Sequence, residues 1–164
     1  MYRIVVFGNS GSGKSTLARQ FSSKHGLAHL DLDTLAWQDT SPPARRPIED
    51  SFAEITQFVS THQSWVIEGC YSDLLSLATK TASEVIFLNP GVGTCMANCR
   101  NRPFEPHKYQ SQEEQDKNLD MLLDWVREYP ERVDEFSLKS HQKLYSDFAG
   151  KKTEYLSNTR DVLP

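Results

Sequence analysis

Between Gly8 and Thr16 the chain reads GNSGSGKST, which places Gly8, Gly13, Lys14 and Ser15 at the spacing G-x-x-x-x-G-K-[ST]. Glycines let the backbone turn through positive φ, and a turn lined with amide N–H groups converges on an anion. A helix beginning directly after the turn adds the partial positive charge of its N-terminus. This chemistry suits phosphate. Gly8, Asn9, Ser10, Gly11, Ser12, Gly13, Lys14, Ser15 and Thr16 are therefore candidates for a triphosphate cradle, with Lys14 reaching the outer phosphates and the Ser15 hydroxyl ligating Mg2+. The plain alternative is a flexible Gly/Ser turn with a solvated lysine; the apolar run before the motif and the helical spacing after it argue against that.

Two carboxylates follow in HLDLD, and a third precedes a glycine in WVIEG. Asp33 is the candidate general base for a hydroxyl attacking the terminal phosphate, and Asp31 sits nearer the Mg2+ waters. Asp33 equally suits the N-cap of a helix through TLAW, so both readings stand. Glu68 is placed where a Walker B-type acid would hold a magnesium-bound water, or else is a surface or capping glutamate. Arg100 and Arg102 flank the start of an irregular loop and are candidates to fold over a transferring phosphoryl group, a task for which planar bidentate donors are suited. Capping of a helix C-terminus is the other use for such cations.

Weaker constellations accompany these. Arg45 and Arg46 lie beside prolines, free either to meet an anionic acceptor or to stay solvated. Trp37 suits a pocket wall or the core. Cys95, Cys99 and His107 offer three metal-ligand types, but a C-x3-C spacing without a fourth ligand favours buried structural cysteines.

The elements that must position these groups alternate. YRIVVF, LAHLDLD, SWVIEG and EVIFLN read as strands, and TEYL as a short fifth. Alternation along LAHLDLD puts Asp31 and Asp33 on the same side. Helical spacing follows the glycine loop through Leu17, Ala18 and Phe21 to a stop at Gly26. It recurs at Ile48, Phe52, Ile55 and Val59, over 73–81, through Cys95, Met96 and Cys99, and at Leu119, Leu122, Leu123 and Val126. A last, less regular stripe runs over Val133, Phe136, Leu144 and Phe148. Strands interleaved with helices imply an α/β fold with a parallel sheet covered on both faces, in which ligands sit at the carboxyl ends of the strands. Gly8, Asp31, Asp33, Glu68 and Asn89 all fall at such ends.

The 164 residues suit a single domain, and 38% hydrophobic with 24% charged residues excludes collagen-like and disordered classes. No apolar run approaches the roughly 20 residues of a membrane helix. The N-terminus reads as a strand rather than a signal peptide, and three cysteines without CxxC spacing fit a reducing compartment, so a cytoplasmic location is expected. With 18 Lys+Arg against 22 Asp+Glu, the surface is a poor match for nucleic acid. No NKxD guanine-reading segment follows the fourth strand, which favours ATP. A small-molecule kinase needs only a phosphate loop, an acceptor site and a cover with arginines.

GNSGSGKSTLA, HLDLDTLAW, WVIEGCYS and EVIFLN, in that order, resemble the P-loop small-molecule kinases related to adenylate and shikimate kinases, and most of all the adenylate-kinase-related group named for DNA topology modulation. The resemblance covers residues 2 to about 104. It implies a three-layer P-loop NTPase fold with a five-stranded parallel sheet of order 2-3-1-4-5, an acceptor-binding segment at about 34–62 and a small helical lid at about 100–118. It further implies ATP and Mg2+ as cofactors, a small-molecule acceptor, and lid arginines at Arg100 and Arg102. Asp31 and Asp33 match the D-x-D of shikimate-type kinases, and Glu68-Gly69 the acid-glycine step of adenylate kinases. EGCYS lacks both the DGFPR-like signature and the GGG of shikimate kinases, so neither AMP nor shikimate is the expected acceptor. SNTRDVLP falls where related kinases place an adenine-contacting loop and a last helix, so base recognition is expected to be loose. The group's name carries a second implication, a nucleotide-binding regulatory or DNA-associated protein without a phosphorylated product; a plain ATPase is a third. The acceptor and the oligomeric state are not legible.

Overall fold

A computed structural model describes residues 1–158; residues 159–164, and with them most of the SNTRDVLP segment, lie outside the described residues. The strands are β1 (Arg3–Gly8), β2 (Ala28–Asp31), β3 (Trp65–Gly69), β4 (Glu84–Leu88) and β5 (Lys151–Tyr155). The helices are α1 (Lys14–His25), α2 (Asp33–Ala36), α3 (Ile48–Thr61), α4 (Ser72–Thr79), α5 (Val92–Arg100), α6 (Gln112–Arg127) and α7 (Leu138–Asp147). All strand pairs are parallel, in the order β2-β3-β1-β4-β5. That order, with the glycine loop joining β1 to α1, is the three-layer P-loop NTPase fold.

Alternation along β1 explains the layers. Ile4 and Val6 pack with Leu17, Ala18 and Phe21 of α1 on one face, while Val5 and Phe7 pack with residues of α2, α3 and α4 on the other. A third apolar cluster joins Cys95 and Cys99 of α5 to Leu123 and Val126 of α6. Because β1 is covered on both faces, it reads as an unbroken apolar run. Its central place brings the glycine loop to the middle of the sheet's carboxyl edge.

Two expectations differ from what is observed. β2 ends at Asp31, and Asp33 opens α2 instead of continuing the strand. The Asp31 carboxylate accepts from the Asp33 N–H at 2.9 Å and captures the chain in a turn, so the capping role open to Asp33 falls to Asp31. The last helix starts at Leu138, not near Val133, which is 97% exposed. There the Asp134 carboxylate accepts from the Phe136 N–H at 3.0 Å and from Arg132 at 2.8 Å, holding a turn that Ser137 then ends as N-cap.

Under the carboxyl edge, His141 of α7 is fully buried. Its Nε2 donates to the Cys70 carbonyl at 2.8 Å and its Nδ1 accepts from the Tyr129 hydroxyl at 2.6 Å. Burial brings its pKa down to about 4 from 6.5. The unfolded chain therefore binds this proton more readily, so the stability it confers is complete above pH 6.5 and is lost as pH falls towards 4, by about 3 kcal/mol. Thermal melts at stepped pH should show wild type losing more stability than His141→Gln across that window. Equal losses would mean the imidazole already titrates normally in the fold.

Candidate functional site

The glycine loop closes tightly on its neighbours. Gly11 has φ 79°, and a Cβ there would collide with the Cys95 carbonyl oxygen and reach within 2.7 Å of Cys99 Sγ. Gly13, at φ 95°, is the N-cap of α1. Only glycine takes these angles without strain, and Gly11, Gly13 and the first residues of α1 line one cavity. Lys14 Nζ donates to the Asn9 carbonyl at 2.8 Å, and Asn98 of α5 braces the loop through the Gly11 carbonyl at 2.8 Å.

The cavity, of about 790 Å3, is lined by Ser10, Gly11 and residues 13–16 of the loop, by Asp31, Asp33 and Glu68 at the strand ends, and by residues 101–105 and 107–109; Gly8, Asn9 and Ser12 do not line it. Strand register sets Asp31 directly beside Glu68. Glu68 is 1% exposed, accepts from Ser15 Oγ at 2.9 and 3.1 Å, and lies 3.5 Å from His29 Nε2. Burial alone would raise its pKa; His29, the Lys14 charge and the Ser15 hydroxyl reverse this and hold it below the usual carboxylate range. Asp31 goes the other way, pushed up to about 6 by burial and then by the charges of Glu68 and Asp33. One edge thus carries a firmly ionised acid beside one held at a cost.

That cost yields a prediction. An amide in place of Asp31 keeps the acceptor oxygen for the Asp33 N–H and removes a charge that burial and then repulsion make costly, so Asp31→Asn should stabilise the free protein at pH 8 by about 1–3 kcal/mol. Denaturant unfolding checks this, and a destabilised variant would contradict the cost assigned to the Asp31 charge.

Asp33, at the cavity wall, accepts from the Tyr71 hydroxyl and lies 3.9 Å from Lys108 Nζ. Arg102 lines the cavity and pairs with Glu105 at 3.5 Å; Lys108 pairs with the same acid at 3.6 Å. Arg100 is exposed at the end of α5 and does not line the cavity. Arg45 and Arg46 are not free for an acceptor. Arg45 bonds Glu135 at 2.9 Å and Asp73 at 3.1 Å, and Arg46 bonds Glu54 at 2.7 Å. Trp37 does not line the cavity either. Cys95 and Cys99 are buried between α5 and α6, and burial pushes the Cys95 thiol up to about 11.

His29, Tyr71 and Lys108 escaped the sequence reading. Alternation marks His29, two residues before Asp31 on the same strand, as its neighbour on that face. Tyr71 and Lys108 carry no such signal, since loops bring them in.

The residues present fit a magnesium-bound triphosphate: a loop whose Gly8 and Gly11 have no room for a Cβ against the Leu88 and Cys95 carbonyls, a lysine with its head on a loop carbonyl, and a serine hydroxyl backed by a buried carboxylate. No family model matches the chain, and no curated protein matches its sequence. Solved structures of similar architecture include a sugar kinase from Janibacter sp. HTCC2649, with 14% identity, TM-score 0.49, and coverage of 77% of this chain and 95% of that one. A shikimate kinase from Bacteroides thetaiotaomicron aligns at 17% identity and TM-score 0.49, over 88% of this chain and 97% of its own. A gluconokinase from Sinorhizobium meliloti 1021 aligns at 17% and 0.49, over 89% and 94%. The narrower resemblance to proteins named for DNA topology modulation is carried by sequence motifs alone. Among the described residues no helix is long and apolar enough to cross a membrane.

Proposed function

We propose that this chain is an ATP-dependent small-molecule kinase that transfers the γ-phosphoryl group to a hydroxyl- or phosphate-bearing acceptor. The observation that carries the reading is the convergence, in one cavity, of the phosphate loop with Lys14 and Ser15, the buried Glu68 bonded to Ser15, and Asp33 on the wall. Phosphoryl transfer asks for this kind of site, since positioning and charge neutralisation supply most of its catalysis.

Loop amides from Gly8 to Thr16 bind the triphosphate, and Lys14 leaves the Asn9 carbonyl for its outer oxygens. Ser15, Glu68 and Asp31 would hold Mg2+ directly or through its waters. When bound, the ion offsets phosphate charge as it develops on the leaving oxygen. Asp33 takes the proton of the attacking hydroxyl. Arg102 exchanges Glu105 for the transferring group and, with Lys108, covers it from the segment at about 100–118, while about 34–62 forms the acceptor side of a single domain.

Labelled ATP with magnesium, offered with nucleosides, nucleoside monophosphates and small hydroxy acids, tests the assignment. Label should pass to one acceptor class. Hydrolysis alone would make the protein an ATPase, and retention of all label on ATP would overturn the reading.

A further inference from the structure

Asp33 opens a helix of a single turn, and 46% of its side chain is exposed. A carboxylate so placed samples several rotamers unless a partner holds it. Lys108 Nζ stands 3.9 Å from Oδ2 on the cavity side, and the close, buried partner is Tyr71, 2% exposed. Its hydroxyl donates to Asp33 Oδ1 at 2.5 Å and accepts from Trp37 Nε1 at 2.7 Å. Donor inventory settles the direction: an indole nitrogen only donates, so the single phenolic proton goes to the carboxylate. Burial holds the phenol's pKa above its ordinary value, so that proton stays in place.

Tyr71 is itself fixed. Phe136 packs edge-on at 5.3 Å between ring centres, and the Arg45 guanidinium lies 5.0 Å from the Tyr71 ring centre. Glu135 and Asp73 bond Arg45 from two further elements, the turn before α7 and the first turn of α4. Two acids thus hold Arg45, and Arg45, the Phe136 ring and the Trp37 N–H together fix one phenol.

We infer that Tyr71 is a positioning residue for Asp33: it occupies Oδ1 and so turns Oδ2 towards the cavity as the oxygen that receives the acceptor's proton. This rests on the proposed role of Asp33 as base. In that step the acceptor oxygen bonds to the γ-phosphorus of ATP, the bond to the bridging oxygen of ADP breaks, and the hydroxyl proton passes to Oδ2. The phenolic proton stays on Tyr71. Trp37 acts only through its N–H, which keeps the phenol oxygen from turning its proton elsewhere.

The probe is γ-labelled MgATP offered with a mixture of ribonucleosides, nucleoside monophosphates and hydroxy acids, and the readout is transferred label. Tyr71→Phe should lower kcat about tenfold while KM for MgATP stays within about twofold. The double variant with Asp33→Asn should be no slower than Asp33→Asn alone, because one residue works through the other. A purely structural tyrosine would instead lower Tm and leave kcat alone, or slow the double variant additively; either result overturns the inference. A slow Asp33→Asn with a normal Tyr71→Phe removes the positioning role and spares the base, whereas a normal Asp33→Asn removes both. If Tyr71→Phe does not fold, the indole 1H–15N resonance of Trp37 carries the test in Asp33→Asn. It shifts if the three groups form one chain, and an unmoved resonance refutes it.

Discussion

Lys14→Ala should weaken MgATP binding by about 10- to 100-fold and slow turnover by about 10²- to 10³-fold, with a modest loss of thermal stability. The binding figure follows from the worth of a charge-assisted hydrogen bond, about 1.5–3 kcal/mol after competition from water, at about 1.4 kcal/mol per tenfold. Bare Coulomb attraction at close range would suggest more, but the ammonium and the phosphates are both solvated before they meet. Turnover suffers further because charge on the transferring group and leaving oxygen shifts in the transition state, where a fixed cation is worth most. Stability should fall modestly: the Lys14 head makes one bond, to a loop carbonyl, but its charge also helps to keep the buried Glu68 ionised. Calorimetric titration with MgATP measures the first effect; an unaffected isotherm would end the assignment of this loop to phosphate.

The second large effect belongs to Asp33→Asn. The amide can still accept the Tyr71 proton, so the wall of the cavity should persist. It cannot take a proton from an attacking hydroxyl, and the rate of transfer should fall by about 10²- to 10⁴-fold, the range typical of positioned acid–base catalysis. MgATP affinity should stay near its wild-type value, because the triphosphate is held by the loop and by Lys14. The neighbouring Asp31 would meanwhile lose one of the two like charges that push its carboxyl up. Transfer measured at saturating MgATP gives the result directly. A wild-type rate would exclude Asp33 as the base.

The contrast between Asp31 and Asp33 shows where the sequence was readable and where it was not. Two acids spaced by one residue at the end of an apolar run invite the simplest assumption, that the strand continues through both. A side chain broke that pattern. The Asp31 carboxylate binds the Asp33 N–H, the chain turns, and the acids part: one lies in the sheet edge beside Glu68, the other at the start of a helix facing Tyr71 and Lys108. Val133 misled for a related reason. Its spacing to Phe136 is helical, yet Asp134 ties its own carboxylate to a nearby backbone N–H and to Arg132, and the helix waits until Leu138. Local side-chain bonds of this sort compete with regular structure and leave no periodic trace.

The arginines make the same point through charge. Arg45, Arg46, Arg100 and Arg102 are alike as letters. Folding pairs the first with acids 28 and 90 residues away, pairs the second with Glu54, leaves the third exposed outside the cavity, and turns the fourth into it.

From its sequence alone the chain was bound to alternate buried strands with amphipathic helices and to place a side-chain-poor loop between the first pair. Apolar periodicity, together with the spacing of three glycines and a lysine, expresses short-range physics: burial of repeating faces and the angles a backbone without Cβ can adopt. Which cations stay available, which carboxylate is raised and which is depressed, and which tyrosine holds Asp33 were decided only in three dimensions. Those properties depend on Coulomb and hydrogen-bond contacts between residues distant in the chain, and such contacts exist only once the sheet has set its register.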